Sequence, residues 1–457
     1  MFAAETSIFG AMTPLRPRAS LLLAFALLLA GAPAASGNEF YDELRAARAL
    51  AARNDLAGAR AEFARLDSLA GGLPATTYSL AQIAARRGDR AEALRRLRAY
   101  AAMGLSRTVE RDSSFASLFG DSAFVEVARR LQANGAPIAS ATIAAVLKDA
   151  SLLAEDLAYD ARSRTFYVSS IHRGKVVAVD STGASRDFIP AASERGWGVY
   201  GLALDPAREL LWGSLAATPT VLTYVAADSG RTAVAAWDLA TGARRSLVEL
   251  PPDGGRHVIG DIAVAPDGTL YATESIGGGL YALRPGASAF DTLAAPGTFA
   301  SPQMPVVVEP GRRLWISDYP RGIVEFDLKR RTVRPVSKPK SLALSGVDGM
   351  ALGPSGVVLV QNGTRPARIL YVGTAGARRS IVGGRVLEQG SELMGEPNHG
   401  IVDRGSLYFI GNSGWDRVNA SDLFETPDGA TSPMILRLPL PAAPGRSGRS
   451  GTVEKRR

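Results

Sequence analysis

Six stations along the chain carry side chains that could act together on one ion or one small molecule: Glu155, Tyr200, Gly260 or Asp261, Gln303, Asp348, and Asn398 or His399. Carboxylates and amides dominate the set. Brought to one point away from water, carboxylates repel one another and resist ionisation unless a cation or hydrogen-bond donors compensate. Oxygen donors of this type suit a hard divalent ion such as calcium, magnesium or manganese. Such an ion can polarise a carbonyl and activate water.

What must position these residues is a phrase that the chain repeats six times. Each copy holds a short apolar run, a turn rich in Asp, Pro and Gly, and a second apolar run, as in Glu155 to Val168. Successive copies begin near Glu155, Tyr200, Gly260, Gln303, Asp348 and Asn398, which lie 45, 60, 43, 45 and 50 residues apart. That is the period of one four-stranded propeller blade, so the fold class is mainly β, a six-bladed β-propeller. In a blade the innermost strand lines the channel, and the second strand, running antiparallel, ends on the face where the first began. Glu155, Tyr200, Gln303 and Asp348 each lie 12 residues before Tyr167, Trp212, Trp315 and Val360, which sets them at one level. Copies three and six are shorter by one and two residues, so Gly260/Asp261 and Asn398/His399 stay open as pairs.

The ends of the second strands add rim candidates for substrate binding: His172, Glu274, Asp318, Asn362 and Asn412, beside Asp261, Asn398 and His399 in the channel. Each rim residue is equally a type that hairpin turns favour for their own hydrogen bonds.

Composition narrows the function classes. The chain has 457 residues, 46% hydrophobic and 21% charged, and no cysteine, which excludes a disulfide scaffold, a thiolate metal site and a cysteine nucleophile. The net charge of +8 comes from scattered Arg and Lys without an aromatic-interleaved basic motif, so no nucleic-acid partner is expected.

Four segments follow in order. Residues 1–37 read as a bacterial export signal, with Arg16 and Arg18 before the apolar run Leu21 to Leu29 and a small-residue cleavage zone at Ala32 to Gly37. A periplasmic or secreted location follows, with no membrane span after cleavage. Residues 38–134 read as helices and resemble about two tetratricopeptide units. Asn54-Asp55-Leu56-Ala57-Gly58-Ala59 and Gly88-Asp89-Arg90-Ala91-Glu92-Ala93 are offset by 34 residues, and stripes such as Leu56-Ala59-Phe63-Leu66 and Ala91-Leu94-Leu97-Ala101 supply a buried face. Two units are too few for a free-standing solenoid, so they should dock on the propeller or on a protein partner. Residues 135–440 form the propeller, whose last blade has only three strand candidates of its own and should borrow its fourth from the run near Ile138 to Leu147. Residues 441–457 form a turn-rich basic tail expected to be disordered.

Over residues 140 to 440 the chain resembles the senescence-marker-protein/gluconolactonase/luciferin-regenerating family, whose repeats share this length and phrasing. The resemblance implies one divalent cation, calcium first, with magnesium, manganese or zinc as alternatives. It implies a ligand Glu at the start of blade one, matched by Glu155, and an Asp in blade five, matched by Asp348 in Val-Asp-Gly-Met-Ala-Leu. The family's Asn of blade four is replaced by Gln303, which offers the same carbonyl on a longer arm. The implied activity is hydrolysis of a lactone or similar ester, with Asp348 as general base as well as ligand. A secondary resemblance is to paraoxonase-type lactonases, which also open the first blade on an adjacent Glu-Asp, here Glu155-Asp156. The alternative reading is a non-catalytic binding or scaffolding propeller that engages an envelope protein through its helices.

Overall fold

The computed structural model of the chain describes residues 39–69, 71–191 and 193–441. The expected export signal and nearly all of the basic tail lie outside them. No helix among the described residues is long and apolar enough to cross a membrane.

The helical region is built from two helix pairs, Glu39–Ala52 with Leu56–Leu69 and Pro74–Arg86 with Arg90–Ala102, followed by Ser122–Ala133. The 34-residue offset is visible in the turns. Asn54 (φ 66°) and Gly88 (φ 76°) both take the left-handed conformation, which Gly and Asn adopt most readily. One residue on, Asp55 and Asp89 each accept a backbone N–H three residues later, from Gly58 at 2.9 Å and Glu92 at 3.0 Å. Ala59, Phe63 and Leu66 form the buried stripe of the first pair. In the second pair Leu94, Leu97 and Ala101 are buried as expected, but Ala91 is exposed. The helix is rotated to place Ala93 and Tyr100 inward, Tyr100 meeting Tyr78 at 5.4 Å between ring centroids.

This short array is seated on the propeller. Ala343 completes the core around Tyr78, Leu97, Phe115 and Leu131, and Ala300 joins that around Phe40, Phe63 and Leu66. Arg368, 1% exposed, donates from Nε to Gln361 Oε1 (2.6 Å) and from Nη1 to the carbonyl of Met103 (3.0 Å). Ser106 N–H donates to the Arg365 carbonyl at 2.8 Å.

Six four-stranded antiparallel sheets follow one another around a channel. Their innermost strands are Ala154–Asp160, Gly198–Asp205, Ile259–Val264, Pro302–Glu309, Gly349–Leu352 and Gly400–Asp403. The last of these lies beside the first, which closes the ring. The sixth blade takes its outer strand, Thr142–Val146, from before the first blade, paired antiparallel with Met434–Pro439. This joins the two ends of the propeller and covers an edge that would otherwise present unpaired backbone groups.

Blades one, two and four are each tied to the next by a repeated hydroxyl. Ser169 and Ser214 occupy matching positions two residues after Tyr167 and Trp212. Ser169 Oγ accepts the Asp156 N–H and donates to the Tyr200 carbonyl; Ser214 Oγ accepts the Gly201 N–H and donates to the Gly260 carbonyl. Ser317 Oγ likewise donates to the Asp348 carbonyl at 3.2 Å.

Candidate metal centre

The inner strands of blades one to four do not enter the channel in plain alternation. Their pairing with the second strand jumps between Ala154 and Leu157, Val199 and Leu202, Ile259 and Asp261, and Pro302 and Pro305. A bulge of this kind lets consecutive residues face the same space and leaves a backbone N–H without a ladder partner. The blade-tying serines take up that N–H at Asp156 and Gly201. Blades one to three therefore contribute a pair of residues each, Glu155 with Asp156, Tyr200 with Gly201 and Gly260 with Asp261, and the pairs form two tiers.

The mouth tier includes Glu155, Tyr200, Gly260 and Gln303, which line one pocket. The inner tier brings together Asp156, Asp261 and His399, which are 2%, 2% and 0% exposed and whose donor atoms all lie within 4.8 Å of one another. His399 Nδ1 is 3.1 Å from Asp261 Oδ1 and 3.4 Å from Asp156 Oδ1, and its Nε2 is 3.6 Å from Asp348 Oδ1. Glycines give this tier its room. A Cβ on Gly201 would stand 2.7 Å from the Gly260 carbonyl oxygen and 2.9 Å from Asp261 Cα, and one on Gly349 would stand 3.1 Å from His399.

The inner tier fits a cation by three observations. Asp261 Oδ1, His399 Nδ1 and His399 Nε2 are buried without a well-directed hydrogen bond, which is rare for such groups. The 3.1 and 3.4 Å separations are those of neighbouring ligands about 2.0–2.2 Å from one ion. A histidine with carboxylates is a common first-row metal donor set. Burial, reinforced by the neighbouring carboxylates, holds the Asp261 carboxyl well above its ordinary range. Burial opposes charge on His399, but Asp261, Asp156 and Asp348 outweigh it and hold the imidazole well above its usual value.

At the mouth tier, burial pushes the Glu155 carboxyl up to about 7, against the opposing pull of His399. Its Oε2 accepts from Asn398 Nδ2 (2.7 Å) and Trp415 Nε1 (2.6 Å). Asp348 Oδ2 accepts from Asn362 Nδ2 at 2.6 Å, and Asn362 Oδ1 accepts from the Tyr319 hydroxyl at 3.1 Å. Gln303 Nε2 donates to Ser301 Oγ at 3.0 Å.

The sequence-derived site residues thus divide. Asp261 and His399 meet in the inner tier, with Asp348 beside them through His399. Glu155 and Gln303 share the pocket, and Asn398 and Asn362 hold Glu155 and Asp348. The remaining rim residues are engaged elsewhere. Asp318, fully buried, accepts from the backbone of Ala300 and Ser301 and from Arg321 Nε. Glu274 Oε1 accepts from the backbone of Val258 and Ile276. His172 Nδ1 is 2.7 Å from the Thr220 carbonyl and its ring packs on Phe424. Asn412, at φ 51°, donates to the Leu393 carbonyl at 3.4 Å. The residues that sequence reasoning missed are Asp156 and Trp415. Asp156 was signalled by the adjacent pairs Glu155-Asp156, Gly260-Asp261 and Asn398-His399, which a one-residue-per-blade register cannot hold. Trp415 sits outside the repeat and carried no signal.

No protein-family model matches the sequence, and no curated protein matches it. Among solved structures, the PQQ-bound aldose sugar dehydrogenase from Streptomyces coelicolor is similar over 66% of this chain and 100% of that one, at 16% identity and a TM-score of 0.44. A gluconolactonase from Xanthomonas campestris is similar over 66% and 96%, at 17% identity and a TM-score of 0.39. A luciferin-regenerating enzyme is similar over 66% and 95%, at 12% identity and a TM-score of 0.41. Likenesses at this level carry nothing about activity. The chain is a six-bladed β-propeller with an N-terminal helical region.

Proposed function

We propose that the protein is an exported hydrolase that opens a lactone, or a similar ester, with one divalent cation held by Asp156, Asp261 and His399. The observation that carries this reading is the set of buried, unpartnered donor atoms on His399 and Asp261, one residue along from the pocket-lining Gly260 and beside Asp348. The imidazole donor shifts the preferred ion from calcium towards zinc or manganese, because calcium takes oxygen ligands. A cation bound there would polarise the ester carbonyl and favour ionisation of water.

The chain's own residues supply the proton handling. Asp348, held by Asn362 and through it by Tyr319, accepts the proton of the attacking water. Glu155, with its carboxyl near 7, is suited to return a proton to the leaving alkoxide. A bond forms between the water oxygen and the carbonyl carbon, the ring C–O bond breaks, and the product is the open hydroxy acid.

The test is ring opening of simple γ- and δ-lactones by the purified protein, before and after chelation, with Asp348→Asn alongside. The reading expects turnover that chelation abolishes and that Asp348→Asn lowers by about 100-fold or more while the protein stays folded. Turnover unaffected by either change, or none on any lactone, contradicts it. Export is tested by locating the protein in fractionated cells.

A further inference from the structure

We infer that residues 412–433, the connection between the second and third strands of the sixth blade, form a lid that closes the pocket and must open before a substrate reaches the inner tier. What enters rests on the hydrolase reading; the closure rests on the fold. The cavity lined by Glu155, Tyr200, Gln303 and Trp415 measures about 40 Å³. That is room for a few water molecules, against roughly 300–1,000 Å³ for pockets that take small ligands. A lactone ring does not fit while the connection lies where it does.

The roof of this cavity belongs to the connection. Trp415, Val418 and Asp422 line it, facing the inner-strand residues Glu155, Tyr200 and Gln303. Blades one and four turn at the same place in short hairpins, residues 171–174 and 319–321. An ordered connection as long as 412–433, with no strand or α-helix of its own, is uncommon and is typical of active-site lids. Its backbone hydrogen bonds close on the segment itself: the N–H groups of Val418, Asn419 and Glu425 donate to the carbonyls of Trp415, Leu423 and Arg417. Asn412 (φ 51°) and Gly414 (φ 101°) turn the chain at its start, and Met434 pairs with Gly411 at its end. With its two ends side by side, the segment can move as one unit about a single base.

Side chains tie it down. Trp415 Nε1 donates to Glu155 Oε2 at 2.6 Å, and its ring joins the buried cluster of Leu153, Tyr200 and Val258. Arg417 Nη1 donates to the Ala150 carbonyl at 2.8 Å, and its guanidinium lies 4.6 Å from the Phe424 ring centre. Phe424 packs on His172, with 4.8 Å between ring centroids. Beyond it a groove open to solvent separates Phe424 and Thr426 from Lys148, Asp149 and Leu222. These ties can break without opening a blade ladder, which is what local opening requires. Trp415 is therefore assigned as the latch, with Phe424 as the second tie.

The chain has no cysteine, so Ser275→Cys places a single thiol in the pocket wall, at a position 7% exposed. The experiment times its modification by methyl methanethiosulfonate in the full chain, at one pH, beside the same chain unfolded in urea. Native reaction is expected to be about 100-fold or more slower than unfolded, and to quicken about tenfold when Trp415→Phe or Phe424→Ala releases the lid. A native thiol that reacts as fast as the unfolded one, or a slow reaction that neither release quickens, overturns the lid. Should Ser275→Cys fail to fold, amide hydrogen exchange over residues 412–433 decides. Faster exchange there in Trp415→Phe than in wild type, with the blade strands unchanged, supports the lid, and equal exchange overturns it. Neither readout needs turnover. If no lactone is opened, the hydrolase reading fails and these rates still decide the lid; an unprotected thiol in a protein that opens lactones overturns the lid alone.

Discussion

His399 Nδ1 and Asp261 Oδ1 lie 3.1 Å apart although they come from blades six and three, on opposite sides of the ring. Two facing inner strands thus meet at the channel axis, with Asp156 of blade one completing the contact. The channel of this propeller is filled by a polar plug at that level.

The bulges that make the two tiers depend on the blade-tying serines. Ser214 is fully buried and satisfies both the Gly201 N–H and the Gly260 carbonyl. Ser214→Ala leaves both without a partner and is expected to cost about 1–3 kcal/mol. Urea unfolding of the two proteins measures it, and an unchanged midpoint would show that the hydroxyl is dispensable.

Arg368 is the buried tie between propeller and helices. Burial lowers its guanidinium to about 10, and its bonds to Gln361 and Met103 offset part of that cost. Arg368→Leu removes the donor to the Met103 carbonyl, so the helices over residues 74–133 should exchange amide hydrogens faster while the blades keep their protection. Equal exchange in both proteins would mean that the apolar contacts at Ala300 and Ala343 and the Ser106 bond to Arg365 hold the helices without it.

A pH dependence of stability is expected from His257. Its Nε2 is 2.8 Å from Asp253 Oδ1 and its Nδ1 3.6 Å from Glu274 Oε2. Glu274 foremost, then Asp253, raise the imidazole to about 9 in spite of burial. A folded value above the unfolded one, about 6.5, means that the charged form stabilises the fold. The contribution is complete below about pH 6.5 and fades as pH rises through about 9. His257→Gln should flatten the fall in melting temperature between pH 6.5 and 9.5; an equally steep fall in both proteins would assign it to other groups.

Much of this architecture is legible in the residues. Six copies at blade spacing give the propeller, the count of only three strands after Asn398 gives the borrowed strand Thr142–Val146, and the offset of Asn54 and Gly88 gives the helix pairs. These features repeat, and repetition averages out local ambiguity. The site was less legible because it turns on one residue of register. A strand without a bulge would send Glu155 and Asp156 to opposite faces, so the spacing assigns Glu155 alone in blade one and leaves Gly260/Asp261 and Asn398/His399 open as pairs. The bulge depends on Ser169 and Ser214 reaching between blades, a contact that spacing alone does not reveal. Trp415 was beyond reach for another reason: its connection has no counterpart in the other blades, and only the fold brings it over Glu155.

The most direct test of the account is metal content and affinity, by elemental analysis and by calorimetry with zinc, manganese and calcium. Wild type, Asp261→Asn, His399→Ala and Glu155→Ala should be compared. The account predicts one ion per chain in wild type and in Glu155→Ala, loss of the ion in Asp261→Asn and His399→Ala, and affinity that weakens as pH falls and protons compete for the ligands. No ion in folded wild type would contradict it. So would an ion that survives both inner-tier substitutions but is lost with Glu155→Ala, which would move the metal to the mouth tier of Glu155, Gln303 and Asp348.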